Sequence, residues 1–289
     1  MMIQDIEPYR YNVTYKNCHP EDEDCIILLR DGDILLKNSE NIIEYPLWAE
    51  AKAILGSDIK TVDAKYLFEI EGVGRFFFIR EGMSDSIIEV LLNNGYELMT
   101  RRQVQYFKPR WAAFAGITAC HFADWYDQNR FCGKCGGLMT CHDVERMLYC
   151  EKCKIPVYPR INPVVIVGIT DGDRILLVKY AGGSYHKYCL VAGFVEVGES
   201  LEAAVKREVM EETGIHVKNI RYYKSQPWAL SGSMIMGVYC DLDGSDEVSL
   251  NDGELSVAEW FDREDVPYGD DGVSVTSELM NGFIEGKEK

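Results

Sequence analysis

The chain has 289 residues, 47% of them hydrophobic, enough for two ordinary domains plus a small module and too apolar for disorder to be its default. A formal net charge of −17 and a sequence pI near 4.7 exclude nonspecific nucleic-acid binding through a basic surface. No apolar run reaches the length of a membrane span and residues 1–10 carry no secretory pattern, so the expected location is cytoplasmic, where ten cysteines point to metal or free thiols before disulfides.

Residues 1–125 read as an N-terminal α+β domain. Cys25 to Leu29 and Ile34 to Leu36 flank Asp31-Gly32, a hairpin signal, and Phe68 to Ile70 and Phe76 to Ile79 flank Gly72 to Gly74, a second one. Ser84 to Asn93 and a segment within Trp111 to Trp125 are predicted helices. Ile26 to Lys37 echoes Val164 to Lys179 in layout, strand then Asp-Gly turn then strand. Either the domain is a degenerate copy of the C-terminal one, or two hairpins merely look alike. No acidic box follows the first copy, so its expected roles are dimer contacts or shaping a cleft. Arg102 is a candidate cation for a phosphate, against the plainer reading of a solvated arginine.

Residues 126–157 hold Cys132-Gly133-Lys134-Cys135 and Cys150-Glu151-Lys152-Cys153, with fourteen residues between the pairs. Thiolates at that spacing sit on two tight knuckles and close a tetrahedral site of four sulfurs, which suits one structural Zn²⁺. Cys141 and His142 in the intervening loop are further candidates that the site does not need. The ribbon mixes Lys134, Lys152 and Lys154 with Asp143, Glu145 and Glu151, so it does not read as a nucleic-acid binder.

In residues 158–289, strands are expected at Val164 to Ile169, Ile175 to Lys179, Val217 to Lys224, Met234 to Asp241 and Ala258 to Phe261, a mixed sheet covered by helices on both faces. Between them lies Gly193 to Ile215. Ser200 is a candidate N-cap, Leu201 to Thr213 lacks Pro and Gly, and Gly214 is a candidate helix stop. On that helix Glu208, Glu211 and Glu212 fall within roughly 100° of arc. Leu201, Ala204, Val205 and Val209 form an apolar stripe beside them. Three carboxylates that close repel one another unless water or a cation offsets the charge, and hard oxygen ligands suit Mg²⁺ or Mn²⁺.

The stretch resembles the Nudix box, G-x5-E-x7-R-E-U-x-E-E-x-G-U with U aliphatic. It matches at Gly193, Glu199, Arg207, Glu208, Val209, Glu211, Glu212, Gly214 and Ile215, every fixed position. Together with the cysteine module and Ser225-Gln226-Pro227-Trp228, it resembles the zinc-ribbon NADH pyrophosphatase (NudC-type) branch of the Nudix hydrolases. The resemblance covers residue 98 onward well and the first 97 residues loosely. The family loop after the box reads S-Q-P-W-P-F-P-x-S-L-M. Here Ala229-Leu230-Ser231 replaces Pro-Phe-Pro, while Ser233 matches, and the departure puts substrate preference in doubt.

The resemblance implies an α/β fold: a Nudix α/β/α sandwich with a mixed sheet, preceded by a zinc ribbon. It implies hydrolysis of the pyrophosphate bond of NADH or NAD⁺ to nicotinamide mononucleotide and AMP, and removal of NAD caps from RNA. Glu208, Glu212, the carbonyl of Ala192 and Glu254 would hold two to three Mg²⁺ or Mn²⁺ ions. Glu211 is a further ligand or the base, and Glu211 and Glu212 remain alternatives for the latter. Glu199 and Arg207 would hold the box together. Tyr158 and Phe194 would take the adenine, in the family with the tyrosine coming from the partner subunit, and Gln226, Pro227, Trp228, Ser233, Glu145, Arg102 and Thr276 would be further substrate contacts. A homodimer is implied as well. Two rivals stay open: hydrolysis of ADP-ribose or dinucleoside polyphosphates, and a non-catalytic nucleotide sensor or zinc-ribbon interaction protein.

Overall fold

A computed structural model describes residues 2–80, 82–182, 187–250, 253–267 and 271–288. The chain divides into two compact units, residues 3–160 and residues 161–289 with the first two residues. No helix among the described residues is long and apolar enough to cross a membrane.

The first unit runs β1 (Arg10–Asn12), β2 (Cys25–Arg30), β3 (Asp33–Ser39), β4 (Ile42–Glu44), α1 (Trp48–Leu55), β5 (Ala64–Glu71), β6 (Gly74–Ile79), α2 (Asp85–Leu92), β7 (Glu97–Met99), α3 (Arg101–Val104) and α4 (Arg110–Gln128). Both predicted hairpins form, and Asp31 and Gly32 take φ of 52° and 84° in the two-residue turn between β2 and β3. The sheet order is β1-β5-β6-β2-β3-β4, with β7 on β3. Ile26, Leu28, Leu35 and Ile79 pack with Trp48, Ile87, Ile88 and Leu91 on one face. The ribbon follows within the same unit as three short strands, β8 (Thr140–Cys141), β9 (Leu148–Cys150) and β10 (Ile155–Val157), in the order β10-β9-β8.

The second unit runs β11 (Asn162–Asp171), β12 (Arg174–Tyr180), β13 (Val191–Phe194), α5 (Leu201–Thr213), β14 (Val217–Trp228), β15 (Ser233–Leu242), β16 (Leu255–Asp262) and α6 (Val275–Ile284). Its order is β14-β15-β11-β12-β16, with β13 on β11 and with β11 and β15 parallel. Strand side chains alternate between faces. Val165, Val167, Leu176 and Val178 therefore meet Ala204, Val205 and Val209 of α5, while Ile166, Ile175 and Leu177 meet Val275, Leu279 and Phe283 of α6. Both faces are covered, which is why β11 and β12 read as unbroken apolar runs.

The sheets of the two units share one plan. In the first, β5-β6 is antiparallel, β6-β2 parallel, and β2-β3 and β3-β7 antiparallel. In the second, β14-β15 is antiparallel, β15-β11 parallel, and β11-β12 and β12-β16 antiparallel. The helix at the place of α5 in the first unit is α1, whose single carboxylate, Glu50, accepts from the Tyr96 hydroxyl and the Leu47 amide.

Two details differ from the sequence reading. Leu201, the first residue of α5, belongs to the exposed surface at 36% exposure, whereas Ala204, Val205 and Val209 are buried. Ser225 to Trp228 is strand and not loop: it pairs with Ser233 to Met236, and the turn is Ala229 to Gly232. Pro227 is tolerated there because β14 is an edge strand.

Candidate active site and metal centre

The acidic helix is set by its two ends. Ser200 Oγ accepts from the Ala203 amide at 3.2 Å, and Gly214, at φ 72°, donates to the Met210 carbonyl. Before it, β13 lies antiparallel to β11 with Gly193 opposite Val165. A methyl on Gly193 would stand 1.9 Å from the carboxyl carbon of Glu208 and 2.0 and 2.3 Å from its oxygens. Gly193 is thus a cradle: the missing side chain is the space the Glu208 carboxylate fills. Burial raises the Glu208 carboxyl above its ordinary range, opposed by the Arg207 guanidinium beside it.

Arg207 is the hub. Nε and Nη2 donate to the two oxygens of Glu199, both at 2.9 Å. Nη1 donates to Glu208 at 2.8 Å and Glu211 at 2.9 Å, and Nη2 also reaches the Phe194 carbonyl at 2.9 Å. All five N–H directions of the fork are used. Arg207 first, then the Glu196 amide, holds the Glu199 carboxyl below its ordinary value. The strand end, the loop and the helix are therefore tied through one side chain.

Glu212 faces elsewhere and is 2% exposed. Its charge, after burial, raises the Tyr180 hydroxyl and helps push the Cys189 thiol up to about 12. Glu254 and Glu208 act on Tyr180 as well, and the Glu254 carbonyl accepts from the Ala181 amide at 2.7 Å. Tyr180, a tyrosine at a strand end that carries no sequence signal of its own, thus lies within electrostatic reach of all three carboxylates. The donor chemistry suits a hard divalent cation, with the Glu208 carboxylate cradled against backbone, but among the described residues the carboxylates of Glu208, Glu212 and Glu254 are not drawn into one closed ligand cluster.

Other candidates are placed as follows. Ala192 precedes Gly193 on β13, opposite Ile166. Phe194 and Tyr158 are each 54% exposed. The Tyr158 hydroxyl donates to Glu145 at 3.0 Å, so two candidate contacts are brought together. Gln226 is fully buried: its Nε2 donates to the Val273 carbonyl at 2.6 Å and its Oε1 accepts from the Val275 amide at 2.7 Å. It secures the start of α6, where Thr276 lies half-buried. Pro227 is exposed, Trp228 packs on the α6 core, and Ser233, buried, meets the Ser231 hydroxyl at 2.9 Å. Arg102 is exposed on α3, whereas its neighbour Arg101 is held bidentately by Asp124.

The four ribbon cysteines converge. The Sγ atoms of Cys132, Cys135, Cys150 and Cys153 all lie within 4.8 Å of one another, with Cys135 and Cys150 at 3.7 Å. A Zn–S bond of about 2.3 Å gives a tetrahedral edge of about 3.8 Å. The knuckles match: Gly136 donates to the Cys132 carbonyl at 2.8 Å and Lys154 to the Cys150 carbonyl at 2.7 Å, with φ of 68° and 57°. Amides of Lys134 and Cys135 pull the Cys132 thiol down to about 7, toward the thiolate a metal needs. Cys141 and His142 stand outside the cluster, and His142 Nδ1 accepts from the Val144 and Glu145 amides. Strands of two and three residues cannot hold a core, and the four converging thiols are a set that could bind a metal to do so. Stripping it should therefore release bound zinc and lower the first unit's calorimetric midpoint by roughly 10 °C, several kcal/mol. An unchanged midpoint after proven removal would show that the ribbon stands without metal.

A glycine-cradled glutamate, an arginine hub and an acidic helix on a covered mixed sheet define a Nudix domain, and the NUDIX domain family matches residues 159–279. The NAD-capped RNA hydrolase NudC of Vibrio parahaemolyticus is 45% identical over 156 residues, 54% of this chain and 58% of that protein's length. The NudC of Klebsiella pneumoniae is 38% identical over 190 residues, 65% of this chain and 73% of that protein. A solved NUDIX hydrolase from Nitrosomonas europaea is 25% identical, with a TM-score of 0.46, over 54% of this chain and 91% of its own. The chain belongs to the NudC family of Nudix proteins.

Proposed function

We propose that this chain hydrolyses the pyrophosphate bond of NADH or NAD⁺ to nicotinamide mononucleotide and AMP, and removes NAD caps from RNA 5′ ends. The observation that carries the reading is the Glu208 carboxylate seated on Gly193 within a complete box tied by Arg207. Glu208, Glu212, Glu254 and the Ala192 carbonyl would hold Mg²⁺ or Mn²⁺. Bound there, such ions neutralise the diphosphate and acidify the attacking water. Glu211 or Glu212 takes that water's proton. Arg207 keeps the carboxylates in register through the turnover. Tyr158 and Phe194 each offer an exposed ring for stacking on adenine. Zn²⁺ sits in the ribbon as a structural ion. The protein works in the cytoplasm as a homodimer, and residues 1–125 are a degenerate copy of the catalytic fold that has lost its acidic box.

A second reading, hydrolysis of ADP-ribose or dinucleoside polyphosphates, is favoured by one observation: the turn after Trp228 is Ala229 to Gly232 and lacks the rigid prolines of the family loop. The test is kcat/KM for NADH, NAD⁺, ADP-ribose and NAD-capped RNA, side by side with Mg²⁺ or Mn²⁺. NADH and NAD-capped RNA should lead, with mononucleotides released. A lead for ADP-ribose would transfer the assignment to the second reading, and no turnover of any of the four would leave the nucleotide sensor.

A further inference from the structure

Arg146 sits in the ribbon loop between β8 and β9, next to Glu145, and its guanidinium reaches into the N-terminal sheet. The β1-β5 ladder ends at Asn12 opposite Glu69. One residue on, Val13 lies beyond the ladder, and on its other side β5 carries a register shift against β6 between Tyr66 and Phe68. A bulge of this kind turns carbonyls away from the neighbouring strand. Arg146 takes them: Nη2 donates to the Val13 carbonyl at 3.2 Å and to the Leu67 carbonyl, and Nη1 to the Tyr66 carbonyl at 3.4 Å. Its charge lies 4.5 Å from the centre of the Phe122 ring and 5.3 Å from that of Tyr15. Among the described residues no carboxylate pairs with it. One side chain thus bridges the carbonyl just past β1 and two carbonyls at the bulge of β5.

The same loop is held twice more. The Tyr15 hydroxyl donates to the His142 carbonyl at 3.0 Å, and Asn17 Nδ2 to Asp143 at 3.0 Å. Within the loop the Glu145 amide donates to His142 Nδ1 at 3.1 Å, and the Glu145 carboxylate accepts from Tyr158. We propose that Arg146 is a positioning residue: it fixes the ribbon tip to the N-terminal sheet and so holds Glu145, with Tyr158 on it, in place for the nucleotide. The proposal rests on reading Glu145 and Tyr158 as substrate contacts. It gives the N-terminal unit a task, the anchoring of a recognition loop.

Lysine at 146 keeps a charge over Phe122 but lacks the planar fork that spans two strands. The experiment measures kcat and KM for NADH in the wild-type protein, Arg146→Lys, Glu145→Gln and the double variant, with zinc content and hydrogen exchange of the Glu145 amide followed in each. Arg146→Lys should keep its zinc, exchange the Glu145 amide faster, and raise KM about tenfold with kcat within about twofold. The double variant should be no worse than Glu145→Gln, because both changes remove one interaction. A wild-type KM in Arg146→Lys, loss of its zinc, or effects that multiply in the double variant would each overturn the proposal. Failure of the functional reading looks different: the wild-type protein would not turn over NADH, while faster exchange at Glu145 would still report the tie.

Discussion

Glu212→Gln should lower kcat/KM for NADH by at least about 10³-fold, roughly 4 kcal/mol of transition-state stabilisation, and should leave the fold intact. The substitution keeps the shape of a side chain that is 2% exposed and removes only its charge. Glu212 takes no part in the Arg207 fan, which joins Glu199, Glu208 and Glu211. The loop-and-helix geometry should therefore survive, and the loss can be assigned to the missing carboxylate. Thermal unfolding of the variant should match the wild type or exceed it, because a buried charge has been replaced by a neutral amide. Activity within about tenfold of wild type would mean that Glu212 neither holds a metal ion nor moves a proton in the slow step.

Gly193→Ala should cost about 10²-fold in kcat/KM, which is what displacing a reacting group by about an ångström costs. The added methyl would overlap the Glu208 carboxyl group, and Glu208 cannot retreat without breaking its 2.8 Å bond to Arg207. Backbone preference is not the reason for the glycine, since Gly193 lies within a regular antiparallel pair and its φ is not positive. The alanine chain should fold, and the defect should appear as a weaker apparent affinity for Mn²⁺ in activity titrations. An alanine variant with wild-type metal dependence would show that the Glu208 seat plays no part in the chemistry.

These two residues mark how far the sequence could be read. The acidic helix was legible end to end, because Ser200 and Gly214 are local signals and the glutamate spacing is fixed by helix geometry. The cysteine knuckles were legible for the same reason, since two residues between thiols permit little but a tight turn. What Gly193 is for was not legible: the motif marks a glycine, and only the docking of α5 on β13 shows that the space belongs to Glu208. Leu201 followed the apolar stripe by periodicity, but periodicity does not say at which turn of a helix the buried face begins. Pro227 reads as part of the family loop, and only the sheet order shows it in an edge strand, where a missing N–H is tolerated. Gln226 and Arg146 were opaque in different ways. A motif glutamine looks like a substrate contact until both ends of its amide are found bonded to the start of α6. A loop arginine looks solvated until a bulge 79 residues earlier offers it a carbonyl.

The central claim is that the carboxylates of α5 hold divalent cations, and that the nucleotide anhydride is cleaved where those cations sit. The most direct measurement is a crystal structure of the protein with Mg²⁺ and a non-hydrolysable dinucleotide. The account predicts ions bound to the carboxylates of Glu208 and Glu212 at about 2.1 Å, with diphosphate oxygens completing their shells. A diphosphate bound away from α5, with Glu208 and Glu212 free of metal, would contradict it.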